Sequence, residues 1–206
     1  MKGAVRFHGL KTPALRALVK ERSPLWKPLR DEAKTELGWL LLASPWFEEK
    51  DWGISVLKTV KTLDEAWLAR LEGEFDRIVG GWAACDGLCG ALLRPMLPRI
   101  ELRRRIVSWR NAASPWLQRA AAVVFVNDAK TGLYTSEILE VCGTTVRNPH
   151  RFVQLGTGWA LRELSLADRG LVNRFIREHR RDFIPEGLRY ALEKHPADER
   201  TALTAL

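Results

Sequence analysis

Apolar residues recur along most of this chain at intervals of three and four, and strand-like alternation is scarce. That pattern predicts amphipathic helices joined by short loops. Leu63, Trp67, Leu71, Phe75 and Ile78 step by four, four, four and three residues and mark one stripe of a helix. Leu171, Phe175 and Ile176 line a second helix, and Leu188 and Leu192 belong to a closing one. The tail from about residue 197 is expected to fray. The helix starts carry a recurring mark. Thr12-Pro13, Ser23-Pro24, Ser44-Pro45 and Ser114-Pro115 each place a hydroxyl at an N-cap before a proline at the first helical position, where the missing N–H costs nothing. Asn148-Pro149 repeats the device, and Thr62 with Glu65 has the spacing of a capping box.

About ten such helices in series, with no Gly/Ser-rich or Pro-rich linker, predict an all-α fold in a single domain over residues 1–206. The expected architecture is an α-solenoid of stacked antiparallel helix pairs, which curves and offers a concave face. The Ser-Pro starts keep no fixed period, so a compact irregular bundle is the alternative.

Composition narrows the function classes. No apolar run approaches the ~20 residues of a membrane span. The start, Met1-Lys-Gly-Ala-Val-Arg-Phe7, lacks an apolar signal core, so a cytoplasmic location is expected. Three cysteines are too few and odd in number for a disulfide framework. Cys85 and Cys89 stand four apart rather than in a C-x-x-C pair, and His8, His150, His179 and His195 are scattered, so neither metal nor cofactor is expected. The formal charge of +8, with 33 Lys and Arg against 25 Asp and Glu, favours a polyanion such as DNA, although a basic protein without such a partner has the same balance. Arginine stripes sharpen that expectation. At 100° per residue, Arg99, Arg103 and Arg110 share one helix side, and Arg174, Arg177 and Arg181 share another. Arg147 and Arg151 flank the start of the helix that carries Trp159, and Arg162 lies further along it. These nine arginines are the candidate phosphate contacts.

Three stretches carry candidate chemistry. Gly80-Gly-Trp-Ala-Ala-Cys-Asp86 sets Trp82 and Asp86 four apart, on one helix face, with glycines that leave room beside the ring. Ser114-Pro-Trp-Leu-Gln-Arg-Ala-Ala-Ala122 puts Arg119 near a helix N-terminus on the side of Trp116. Phe152-Val-Gln-Leu-Gly-Thr-Gly-Trp-Ala-Leu-Arg-Glu-Leu164 has helical spacing and places Trp159 beside Gly156 and Gly158, so its ring is expected to be accessible. Each has a plainer reading: tryptophans are usually core residues, Asp86 could cap the next helix, and Arg119 could pair with a carboxylate at a helix end.

These stretches, together with Phe7-His-Gly-Leu-Lys-Thr-Pro13, resemble the DNA alkylation repair glycosylase family built from HEAT-like repeats. The resemblance runs over nearly the whole chain. It implies a HEAT-like solenoid with a concave basic face, acting as a monomer on double-stranded DNA that contains alkylated purines, near the nucleoid and without metal or organic cofactor. It further implies hydrolysis of the N-glycosidic bond of purines alkylated at N3 or N7. Carried over residue by residue, the family's aspartate falls on Asp86, its cleft tryptophans on Trp82 and Trp159, and its cleft arginine on Arg119. The chain departs from the family pattern at Ala83, where an acidic residue is usual, and at Leu155, where a lysine is usual. Family members carry further helices before the Phe7 motif, so a shortened cleft wall is expected here. Two non-enzymatic readings stand beside the glycosylase: a relative that binds damaged or branched DNA without excising a base, and a HEAT-like protein scaffold.

Overall fold

The computed structural model describes residues 5–61 and 63–205, which contain helices and no strand; one isolated bridge joins Arg6 and Trp46. In chain order the helices are α1 (Thr12–Arg22), α2 (Asp31–Leu42), α3 (Phe47–Leu57), α4 (Glu65–Ile78), α5 (Trp82–Leu88), α6 (Ile100–Ser108) and α7 (Pro115–Val123). They continue as α8 (Val126–Ala129), α9 (Thr135–Thr145), α10 (Arg151–Leu164), α11 (Arg169–Glu178), α12 (Pro185–Ala191) and α13 (Ala197–Thr204). The fold is all-α, as the periodicity predicts. It divides into two compact units, Met1–Leu102 and Arg103–Leu206, with the division inside α6.

The expected stripes are buried except at their first positions: Leu63 lies ahead of α4, and Leu63 and Leu171 are only half-buried. On α4, Trp67, Leu71, Phe75 and Ile78 all face the core, and so do Phe175 and Ile176 on α11. Helix starts follow the prediction less closely. Ser114 is the N-cap that the Ser-Pro rule describes, accepting from the Leu117 N–H at 3.2 Å. Thr12 already lies inside α1, and Ser23-Pro24 opens only a short 3-10 turn. Ser44 and Asn148 act one step earlier, accepting from the N–H of Trp46 at 3.1 Å and of His150 at 2.8 Å. These two side chains shape the turns into α3 and α10 and leave the helix ends themselves uncapped by a side chain. Thr62 of the expected capping box lies outside the described residues; α4 is capped by Asp64, which accepts from the Trp67 N–H at 2.8 Å.

In the first unit α2 and α3 pack at glycine distance. A Cβ on Gly53 would lie 2.9 Å from the Gly38 carbonyl, and one on Gly38 would collide with Leu57. Upstream, Gly9 takes a left-handed φ of 87°, so the 8–10 turn points its amides inward. Glu48 receives them: the amides of His8, Gly9 and Leu10 donate to its carboxylate at 3.0, 2.9 and 3.2 Å. Burial works against that charge, but the amide donors outweigh it and hold the Glu48 pKa below the usual carboxylate range. This clamp is the physical content of the Phe7–Pro13 motif.

The second unit is organised around α10, which packs against α7, α8, α9 and α12. Its buried Gln154 donates to the carbonyls of Asn148 and Asp182 at 3.2 and 3.0 Å and to that of Val146, and accepts from the Ile184 N–H at 3.3 Å. The Thr157 and Thr145 hydroxyls meet at 2.7 Å across the α9–α10 contact. The tail expected to fray is instead helical. Leu203 is buried, and Arg180 donates to the Leu203 and Thr204 carbonyls at 3.2 and 2.8 Å, capping α13.

His195 secures the approach to α13. Its Nε2 lies 2.9 Å from Asn173 Oδ1, Asn173 Nδ2 donates to Glu199 at 2.8 Å, and its buried Nδ1 has no hydrogen-bond partner among the described residues. Burial lowers the His195 pKa despite attraction to Glu199, and Arg169 and Arg200 lower it further. The imidazole is therefore neutral when folded, whereas the unfolded chain protonates near its ordinary ~6.5. The stabilisation is present above that value and is lost as pH falls through the lower folded pKa. Amide-exchange protection of α13 should fall on acidification below about pH 6.5, and His195→Gln should flatten that dependence. Equal pH profiles for the two proteins would refute the assignment.

Candidate active site

In the first unit, Gly81 precedes α5 in an extended conformation, and a Cβ there would meet nothing within 4 Å. Trp82 is the first residue of α5 and is 54% exposed, so a ring that could serve as core stands in solvent. One turn on, half-buried Asp86 follows on the same face. Cys85, Leu88 and Cys89 bury the opposite side, and Gly87 lets α5 lie close on Ile54 of α3. Asp86 sits within α5, so it is not the N-cap of a following helix. The chain then runs through a π-helical stretch, Cys89–Leu93, and a 3-10 turn, Arg94–Met96. A π stretch re-aims the side chains around it and is often found at functional sites; nothing in the apolar spacing announced it.

In the second unit, Trp159 is half-buried on α10. Its neighbouring glycines have a different purpose from leaving space around the ring. A Cβ on Gly156 would lie 3.1 Å from Arg119 Cγ and 3.3 Å from Val123, and one on Gly158 would lie 2.6 Å from the Gly187 carbonyl of α12. They let α7 and α12 approach α10 closely. Arg119 is 4% exposed, packs on Gly156, and donates from Nη1 to the Phe152 carbonyl at 2.7 Å. The resemblance makes it a cleft arginine; in the structure it is a strut between α7 and α10. Trp116 is buried and stacks on Phe152 with ring centroids 5.5 Å apart.

The arginine stripes separate into two kinds. Arg103 pairs with Glu137 at 2.9 Å, Arg110 with Glu140, Arg151 with both oxygens of Glu186 at 2.7 and 2.6 Å, and Arg162 with Glu163 and Glu193. Arg147 approaches Asp182 at 3.7 Å, and Arg99 donates to the Leu63 carbonyl at 2.8 Å. Arg174, Arg177 and Arg181, along α11 and the turn after it, are exposed and pair with no carboxylate among the described residues.

Besides Glu48, a second charged group escaped the sequence reading. Lys50 is buried on α3, donates to the Leu42 carbonyl at the end of α2 at 2.7 Å, and is pushed down to about 8 by burial and by the nearby Arg77. It satisfies an orphan carbonyl at a helix C-terminus. A single lysine inside an acidic stretch gives no sign of such a contact.

The sequence profile of the family described as DNA alkylation repair enzyme matches residues 1–195. The chain belongs to the DNA alkylation repair enzyme family. A solved structure of a predicted DNA alkylation repair enzyme from Enterococcus faecalis is similar to it with a TM-score of 0.80, at 15% identity, over 93% of this chain and 89% of that one. At that identity the likeness speaks for the fold, which is of the α-solenoid type. No curated protein matches the chain.

Proposed function

We propose that this protein is a DNA glycosylase that hydrolyses the N-glycosidic bond of purines made cationic by alkylation at N3 or N7. The observation that carries the reading is the pairing on α5 of an exposed indole with a carboxylate one turn away. A positively charged purine is already a good leaving group. As its bond to C1′ breaks, the sugar becomes oxocarbenium-like, and a carboxylate near C1′ stabilises that cation and orients or deprotonates the attacking water. Asp86 is assigned that role. The negative face of an indole attracts a cationic base or an electron-poor sugar edge, and this role is assigned to Trp82 and Trp159. Arg119 is a positioning residue in this reading, holding α10 through the Phe152 carbonyl. Because the bond is labile, an exposed aromatic surface suffices where a normal nucleoside would require a deep pocket. The test is incubation of the protein with methylated DNA and quantification of free 7-methylguanine and 3-methyladenine. Release above the spontaneous rate is expected. Binding without release identifies a non-catalytic DNA-binding relative, and absence of binding at low salt identifies a protein scaffold.

The DNA footprint is assigned chiefly to Arg174, Arg177 and Arg181, because the paired arginines would have to give up a carboxylate to meet a phosphate. Replacing the three by Gln should reduce the slope of log affinity against log salt by about 0.9 for each phosphate no longer neutralised. Arg151→Gln, which breaks the Glu186 fork, should leave that slope nearly unchanged. Equal slopes for the triple variant and wild type would remove α11 from the footprint.

A further inference from the structure

A cleft of about 380 Å³ lies wholly within the first unit, between α1, the Ser23–Leu25 turn and α3. Its rim carries Arg16 and Lys20, one turn apart on α1, Lys27 just past the turn, and Lys58 at the end of α3. All four are exposed, and none forms an ion pair with a carboxylate among the described residues. This sets them apart from most of the arginines above. The single acid in the wall is Asp51, half-buried and attracted at longer range by Arg16 and Lys58. Four cations around one carboxylate leave a local excess of three positive charges, enough to neutralise a phosphate monoester with its two negative charges.

The rest of the lining fits the remainder of such a ligand. Ser55 donates its hydroxyl proton to the Asp51 carbonyl at 3.0 Å, and Thr59 donates to the Val56 carbonyl at 2.7 Å. Both residues line the cleft, and with their protons engaged these oxygens can act only as acceptors, as can the Asp51 carboxylate. Acceptors cannot hold a phosphate, but they suit the hydroxyls of a sugar. Val19 and Trp26 supply the apolar wall.

We propose that this cleft is a binding site for a nucleotide-sized phosphate monoester, its phosphate held by Arg16, Lys20, Lys27 and Lys58 and, in a free nucleotide, its sugar hydroxyl donated to Asp51. The phosphate monoester is common to a free nucleoside monophosphate and to the 5′-phosphate end of a broken DNA strand; the hydroxyl for Asp51 belongs to the free nucleotide alone, because the 3′-oxygen of a strand's terminal deoxynucleotide is esterified.

Calorimetric titration with dAMP and with deoxyadenosine, and competition between nicked duplexes bearing 5′-phosphate or 5′-hydroxyl, separate the two. The variants are Arg16→Gln with Lys58→Gln, and Lys130→Gln as an exposed control outside the cleft. Binding of dAMP but not deoxyadenosine, weakened at least about tenfold in the double variant and unchanged in the control, supports the site with a free nucleotide. A 5′-phosphate preference lost in the double variant, without dAMP binding, supports it with a strand end. No dependence on the phosphate in either assay, or equal weakening in the control, overturns it.

Discussion

Asp86→Asn should lower the rate of base release from methylated DNA about a hundredfold or more, the scale seen when a group aimed at developing charge is removed. Asparagine has the shape of aspartate but no charge, and it cannot accept the proton of the attacking water. Half-buried inside α5, the position keeps its helix after an isosteric change, so thermal unfolding should be little altered. DNA affinity should also survive, because phosphate contacts dominate it. The informative result is the split between rate and affinity. Equal release by the variant and the wild type would dismiss Asp86 as the carboxylate of the reaction. Loss of binding and folding together would show a structural residue.

Gly158→Ala should destabilise the second unit by about 1–3 kcal/mol, the usual cost of overpacking a close contact. The added Cβ would stand 2.6 Å from the Gly187 carbonyl and 3.3 Å from the Ala191 amide nitrogen. These are backbone atoms of α12 and cannot rotate away, so the helix itself must move. Gly73→Ala provides the opposite sign. That glycine is exposed in the middle of α4 with nothing within 4 Å of a new Cβ, and alanine there should stabilise by about 0.5–1 kcal/mol. Denaturant unfolding of the two variants checks both. A neutral Gly158→Ala would mean that the α10–α12 contact is loose, and the account of α10 as the organising helix would fail with it. Gly156→Ala should be milder, since the Arg119 and Val123 side chains it would press on can shift.

The comparison of these glycines shows how far the linear reading reaches. Gly156 and Gly158 stand out in the sequence, but their spacing just before Trp159 suggests room for a ring. Their neighbours, Arg119 and the α12 backbone, are distant in sequence, and only the folded chain brings them there. The arginines make the same point. Periodicity places Arg151 and Arg174 equally well on helix faces, yet Glu186 pairs with the first while the second meets no carboxylate among the described residues.

By itself the sequence determined the all-α class, the buried stripes of α4 and α11, the Ser114 cap and the family, because each rests on local spacing or on contiguous motifs. The tertiary structure alone decided which cations remain unpaired, why glycines line α10, what Glu48, Lys50 and Gln154 hold, and that the C-terminal tail is a docked helix. Those outcomes depend on partners tens of residues away. A carboxylate, carbonyl or backbone brought within about 3 Å by folding settles the role of a side chain in a way that its position along the chain does not encode.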